Sequence, residues 1–539
     1  MKPVDAHGGD ARPVAPASPW GPFRHQTFAA MWSAQFVSNL GSWMQTVAAQ
    51  WLMLTLTSSA TYIALVQTAA SLPVVLFAVV AGAAGDLVDR RKFLLVTEGL
   101  MLLAAAALGI LALAGLVTPW VLLALIFAVG TGQALTSPTW QVLQPELVPP
   151  DERQQAISLG AVNQNLARAV GPAIGGIVLA ATTAGTVFLI NAATFIAVIA
   201  VIAWWKNTRS ASTMPREHVG EAIRAGGRYV AESPALRVIL LRAALFVFFA
   251  SSIWALLPLI AESQLHLGSG GYGLLLGCVG IGAVAGAVLL PRLRTKLAPG
   301  SLLTAGSLAL AVVALVLGYV HVAAIAAIAL VLAGLAWILA LSTLNSLYQL
   351  TLPGWVKARG MSFYLIVFQG GNAVGSAVLG ITAEHFGLPT TMLVAGVALA
   401  LGPLAGLRYR FRPIPPEELM PAGDWPQPLL AAGEPSGGPV MVTVEYWPRE
   451  GLADDLLAAL EDTRFSRRRT GASSWRVWQD AADQNRIIEQ FVVASWSEHL
   501  RQHERVTVRD QRGLDSIRAM TDPDHPTTVT HWVTPRSHA

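Results

Sequence analysis

The sequence predicts an all-α membrane bundle of twelve transmembrane helices in two six-helix repeats, followed by a small α+β ferredoxin-like soluble domain. Three observations carry that expectation. Apolar residues make up 54% of the 539 positions and charged residues only 13%. Apolar runs of about 20 residues, enough to cross ~30 Å of hydrocarbon, recur along the chain as far as the tail. Charge is segregated: residues 1–412 hold 23 Lys/Arg and 13 Asp/Glu, while 413–539 hold 13 Arg, no Lys and 19 Asp/Glu. The tail thus has a net charge of 13 − 19 = −6, and a lipid-embedded body precedes a soluble acidic segment. The overall +4 comes from the flanks of the membrane helices and gives no reason to invoke nucleic acid.

Residues 1–22 are expected to be a disordered arm, since Met1–Ser18 is rich in Ala and Pro and lacks the apolar core of a signal peptide. The membrane body then spans 23–412, with halves 23–205 and 237–412 joined by a polar, basic linker, 206–236. Its first six spans fall near 28–50, 61–84, 94–115, 120–140, 155–181 and 186–205. The next six fall near 237–260, 272–291, 300–319, 323–347, 361–383 and 390–407. Within the linker, Glu221–Val230 is amphipathic, and a plain tether is the expected role. The one cysteine, Cys278, lies in an apolar segment, so there is no disulfide or metal framework, and nothing calls for a cofactor.

Basic residues set the orientation. Arg90, Arg91, Lys92; Arg153; Lys206, Arg209, Arg216, Arg224, Arg228; Arg292, Arg294, Lys296; and Lys357, Arg359 occupy alternate connections. By the positive-inside rule both termini are cytoplasmic, and the protein is expected in the cell membrane.

The connection after the second span reads GAAGDLVDRRK, Gly82 to Lys92. A close-packing glycine, then Asp86 four residues ahead of Arg90, can form a latch that holds the cytoplasmic side shut. Glu146, in the PELVP turn that ends the fourth span, lies near the same face and can pair with Arg90. Gly82, Asp86, Arg90 and Arg91 resemble the signature between helices two and three of the major facilitator superfamily. Leu87 and Asp89 stand where that signature usually has a basic residue and a glycine.

The fifth span carries NQNLARAVGPAIGG, Asn163 to Gly176. Arg168 lies mid-segment, where a charge costs several kcal/mol (about 2.5–3.5 on insertion scales) unless it faces protein or water. No carboxylate on the same helix is spaced to meet it. Asn165 shares its face and is expected to orient the guanidinium. Gly171 and Gly175 stack on one side and admit a neighbouring helix, while Pro172 loosens the backbone. The run returns as NAVGSAVLG from Asn372, an offset of 372 − 168 = 204, and Ala81-Gly82-Ala83 returns at Ala285-Gly286-Ala287 by the same offset. A shared offset at distant places predicts parallel repeats. The PELVP turn and the N-x-x-R-x-x-GP-x-x-GG run resemble the siderophore (enterobactin)-exporter-like branch of the superfamily. Gly171-Pro172 with Gly175-Gly176 also resembles the kinked helix of its antiporters.

Membrane-embedded polar groups are few. Gln45, Gln67, Asn163, Asn345, Gln369 and Asn372, with Trp43, Trp254, Trp337 and Tyr348, are the candidates to line a mixed-polarity cavity for an aromatic or anionic molecule. Each is also a candidate for helix–helix packing. Glu98, near the inner end of the third span, is the one acid expected inside the membrane.

After a Pro/Gly-rich linker, 413–437, residues 438–535 read strand, helix, strand, strand, helix, strand, which implies a ferredoxin-like sheet. WSEHLRQHERV resembles the antibiotic-biosynthesis-monooxygenase-like dimeric α/β-barrel domains, so self-association through this domain is expected. His499 and His503 are i,i+4 and read as a solvated helix face.

The function expected is a secondary active transporter, a proton-coupled exporter of a small amphipathic compound, siderophore-like or drug-like. A broad multidrug efflux pump is the alternative within transport. A bifunctional protein with an oxidative or ligand-sensing tail, and a membrane sensor that transports nothing, are alternatives of other classes. The tail shows no cofactor motif or acid/base constellation, and a sensor needs neither latch nor kinked helix.

Overall fold

The computed structural model describes residues 18–87, 89–205, 219–408, 415–422 and 438–533. The chain divides into two compact units, one of Met1–Ser210, Leu256–Ile281 and His321–Ala327, the other of Ala211–Ala255, Gly282–Val320 and Ile328–Ala539.

Six long helices dominate the first unit: α1 (Gln26–Leu56), α2 (Ala60–Leu87), α3 (Arg90–Leu113), α4 (Pro119–Glu146), α5 (Arg153–Ala181) and α6 (Ala184–Trp204). Local chemistry sets their ends. Asp89 caps α3, its carboxylate accepting from the backbone N–H groups of Arg91 and Lys92, which explains an acid where the signature usually has glycine. Thr118 and Thr183 cap α4 and α6 in the same way, with Pro119 at the first turn of α4.

A shorter helix, α7 (Val219–Ala231), precedes α8 (Pro234–Leu259), α9 (Ser269–Arg294), α10 (Pro299–Tyr319), α11 (Ala323–Leu350), α12 (Lys357–Phe386) and α13 (Leu388–Arg408). Among the described residues nine helices are long and apolar enough to cross a membrane. Three more coincide with expected spans but fall outside the nine. Rows of amides interrupt α1 and α5, and the apolar stretch of α13 is short, Leu388–Leu404.

Glycines 204 positions apart pack alike. A methyl on Gly171 would lie 2.6 Å from Trp43 Cβ, and one on Gly175 would lie 2.7 Å from Met44 Cα, so α5 presses directly on the backbone of α1. In the second unit Gly375, the counterpart of Gly171 by the 204 offset, meets Phe248 O of α8 in the same manner. The close-packing face is therefore used twice, once with Pro172 beside it and once with Ser376.

The tail holds β1 (Val440–Tyr446), α14 (Ala453–Thr470), β2 (Ala472–Gln479), β3 (Ile487–Val493), α15 (Trp496–Glu504), α16 (Val508–Met520) and β4 (Thr528–Val533). Its sheet runs β2-β3-β1-β4, and every neighbouring pair is antiparallel. Val440, Val442, Val444 and Tyr446 of β1 and Ile487, Phe491 and Val493 of β3 form one buried layer with Leu456, Leu460 and Ile517 of the helices. The second helical stretch is broken: α15 stops, and Thr507 starts α16 through a reciprocal capping box with Asp510.

Two parts of the expected linkers are packed. Within 413–437, Ala422 N–H donates to Val506 O at 2.9 Å, Val508 N–H donates to Met420 O at 3.0 Å, and Glu418 pairs with Arg512 at 2.7 Å. Residues 415–422 thus belong with the domain. Helix α7, expected as a tether, lies against α12, where a methyl on Gly226 would come within 2.9 Å of Arg359 Cβ. Of the disordered arm expected at 1–22, residues 1–17 lie outside the described residues, whereas its end is ordered: Gly21–Arg24 form a 3-10 turn in which Gly21 and Pro22 are buried.

Candidate functional site

In the first unit, the start of α3 and the end of α4 meet through an ion pair. Arg90 Nη1 donates to Glu146 Oε2 at 2.9 Å. Arg91 turns to the neighbouring helix, its guanidinium donating to Ile202 O at 3.1 Å and to Ala203 O, and so satisfies carbonyls that the C-terminus of α6 leaves unpaired. Gly82 and Asp86 stand near the end of α2, with their side chains outside the described residues. In the second unit Arg294, counterpart of Arg90, donates to Ser342 O and Ser346 Oγ of α11 at 3.0 Å each. The matching position 204 residues on thus keeps an interhelical tie, with neutral acceptors in place of the carboxylate.

The side chain of Arg168 is exposed. The guanidinium carbon lies 5.4 Å from the centroid of the half-buried Trp43 ring, a cation–π arrangement across α5 and α1. Among the described residues no hydrogen bond joins Asn165 to Arg168; the Asn165 amide N–H donates to Ala161 O one turn back at 2.9 Å. Among the described residues no carboxylate is paired with Arg168.

The amide candidates divide into two groups. Asn163 is buried and ties α5 to α1, donating to Trp32 O at 2.9 Å and accepting from Asn39 at 2.8 Å. Gln45 is also buried, accepting from Asn191 of α6 at 2.6 Å, and one edge of it reaches a small pocket between α1, α2 and α4. Gln67, Ser42, Thr46 and Gln133 line that pocket too. Asn163 is therefore an interhelical tie rather than a cavity group, since the close approach of α1 and α5 at Gly171 and Gly175 turns its face inward. Gln133 was not foreseen, although an isolated amide in an apolar helix is the signal that marks it.

In the second unit an aromatic cluster joins three helices. Trp254 and Trp337 have ring centroids 4.3 Å apart, with Phe246 at 5.8 Å and Phe368 at 6.1 Å from Trp337. Gln369 and Asn372 follow on α12, both half-buried. Asn345 accepts from Gln349 of its own helix at 2.7 Å. Tyr348 is fully buried and donates to Gly360 O at 3.0 Å, so it clamps α11 to α12 instead of facing a cavity.

The tail carries two buried polar networks. Glu489 accepts from Arg467 at 3.0 and 3.1 Å, from Trp475 at 2.9 Å and from Tyr446 at 2.9 Å. Burial alone would raise its carboxyl, but the Arg467 charge and these donors hold it below the usual carboxylate range. His499 is 1% exposed and its Nε2 lies 2.9 Å from His531 Nε2 of β4, so it is not on a solvated face. Burial, with His531 adding to it, pushes His499 down to about 4, and burial with His499 beside it pushes His503 down to about 3.

That depression has a sign. An unfolded histidine titrates near ~6.5, so as pH falls through that value the unfolded chain takes up protons that the folded domain refuses. The domain should lose stability on acidification from pH ~7 to ~4, by on the order of 2 kcal/mol from His499 alone. Urea unfolding of the fragment 415–533 measures this. His499→Gln should flatten the fall, and an unchanged pH profile would reject the assignment.

The domain also grips the body of its own unit. Arg228 of α7 pairs with Glu498 at 3.4 Å, Glu498 accepts from Arg505 at 2.6 Å, and Arg505 stacks over Trp355 at 4.6 Å. Tyr229 meets Trp355 edge-on at 5.5 Å, and Arg468 pairs with Glu232 at 3.2 Å.

A family model described as "Transmembrane secretion effector" matches residues 17–538, tail included. A staphyloferrin A transporter of Staphylococcus aureus is 26% identical over 371 residues, 68% of this chain and 92% of that one. An enterobactin exporter of Citrobacter koseri is 26% identical over 404 residues, 73% of this chain and 95% of that one. Among solved structures, a bacterial homologue of the human lysosomal transporter Spinster, in an inward-facing and occupied conformation, aligns with a TM-score of 0.58 at 17% identity. That alignment covers 73% of this chain and 99% of the other.

Proposed function

Because this chain belongs to the transmembrane secretion effector family, among the major facilitator transporters, we propose that it is a proton-coupled exporter of a small, anionic, siderophore-like compound. Twelve helices, α1–α6 and α8–α13, cross the cell membrane, with both termini and the tail on the cytoplasmic side. The tail is a ferredoxin-like domain, with the strand and helix order that this fold requires. Its open sheet face, with Trp478 and Trp532, is where two copies would pair.

One observation carries the substrate class: an exposed arginine stacked on Trp43, with no carboxylate paired to it among the described residues. A planar cation on an aromatic platform suits a carboxylate or catecholate bound to an aromatic body. The cargo named for the two relatives agrees in class. The latch of Arg90 and Glu146 closes the cytoplasmic side in this reading, and α5 bends at Pro172 as the site changes access.

The test is comparison of culture media and cell extracts from wild-type and deletion strains under iron limitation. A compound lost from the medium and retained in the cells is expected. Indistinguishable media and extracts would remove the export reading. Loss of many unrelated dyes and drugs in place of one compound would favour a multidrug pump.

A further inference from the structure

The proposal above needs a group that binds and releases a proton, and its location rests on that reading. We propose that Glu98 is this proton-carrying carboxyl, protonated while the α3–α4 seam is closed over it and deprotonated when the seam opens to water.

Glu98 is 1% exposed. Trp140 Nε1 of α4 donates to Oε1 at 3.4 Å, and Oε2 has no hydrogen-bond partner. Around the same seam lie Leu94, Trp140, Leu143, Val198 and Ile202, an apolar cluster contributed by α3, α4 and α6. Thr136 and Thr139, on the row of α4 that carries Trp140, also have buried hydroxyls without partners. An ionised carboxylate with one long hydrogen bond cannot be held in such surroundings, because its lost hydration is uncompensated. In this closed arrangement Glu98 is therefore the neutral acid.

Among the described residues no neighbouring charge supplies the compensation. Helices α1 and α6 carry no ionisable side chain, and the one such residue of α4 is Glu146, which pairs with Arg90. On α3 the remaining ionisable groups are Arg90, Arg91 and Lys92, and Arg91 is committed to the end of α6. They lie a turn and a half or more before Glu98, about 9–12 Å along the axis.

The placement also explains how a proton could work the gate. Arg90 and Glu98 share α3, while Glu146 and Trp140 share α4, so one seam holds an ion pair at its rim and a carboxyl within. Losing the proton leaves a charge that only an opened, hydrated seam accommodates, and opening the seam separates Arg90 from Glu146. Proton release and latch release are then one event. The balance is simple: the carboxyl gains one proton on closure and returns it to water on opening.

The whole protein in lipid vesicles, titrated by infrared difference spectroscopy, tests this directly. Wild type should show a protonated-carboxyl absorption that disappears on alkalinisation, and Glu98→Gln should lack it. A Glu98→Gln spectrum identical to wild type, or a carboxyl that never titrates, would overturn the proposal. Export of the compound missing from the deletion strain's medium supplies a second readout. Glu98→Gln should lower its gradient-driven release by about tenfold or more, at matched protein level, and Glu98→Asp should restore part of it. If wild-type release ignores collapse of the proton gradient, proton coupling itself falls. If wild type responds and Glu98→Gln responds equally, the assignment to Glu98 falls alone.

Discussion

Arg90→Ala should abolish export while leaving the protein in the membrane at its normal level. The pair it breaks, Arg90–Glu146 at 2.9 Å, joins α3 to α4 at their ends, with Arg90 largely covered and Glu146 about one-third exposed. Such a pair sits between a surface bridge and a buried one, so its loss costs about 1–3 kcal/mol. That is too little to unfold a bundle of long, extensively packed helices. It is enough to move a two-state gate by about 5–150-fold toward its open form. Glu146→Ala should therefore resemble Arg90→Ala, and the double variant should be no worse than either. Export measured at equal membrane abundance decides the matter. Undiminished transport by both single variants would leave Arg90 as an ordinary membrane-edge cation.

The second large effect is expected at Arg168. Arg168→Ala removes the cation that the export reading places against an anionic substrate, a loss of up to about 3 kcal/mol, or ~100-fold in affinity. Arg168→Lys keeps the charge but loses the planar fork and much of the stacking over Trp43, so an intermediate loss of about tenfold is expected. Trp43→Ala should fall in the same range, because it removes the platform and leaves the charge. The counterpart Asn372 shows that a helix with this glycine face packs without a cation, so a purely structural role predicts no such gradient. Equal export by Arg168→Lys, Arg168→Ala and wild type at every pH would reject the substrate role.

The membrane body was legible in the sequence because hydropathy, charge asymmetry and a fixed 204-residue offset each report on a whole helix. The Arg90–Glu146 contact was legible for the same reason, since both residues end helices on one membrane face. Individual side-chain directions were not. Periodicity places Asn163 and Arg168 on α5 but does not say which of them α1 will cover, and the glycines that decide it act from neighbouring turns. Tyr348 reads as an aromatic wall until Gly360, twelve residues on, offers its carbonyl. His499 reads as solvated because the partner that buries it, His531, arrives from β4 through strand register. Residues 415–422 read as linker from their prolines, yet a Pro-rich edge can still accept and donate at Met420 and Ala422.

The grip of the tail on α7 has a thermodynamic consequence. Helix α7 and the residue that follows it touch the domain through Arg228 and Glu232, and α7 touches α12 through Gly226. A contact shared in this way is a coupling free energy, and coupling is reciprocal. Any molecule whose affinity for the domain depends on whether Glu498 holds Arg228 must shift that contact by the same factor. Any movement of α12 that alters the Arg228–Glu498 contact must, in turn, alter the affinity of the domain for that molecule.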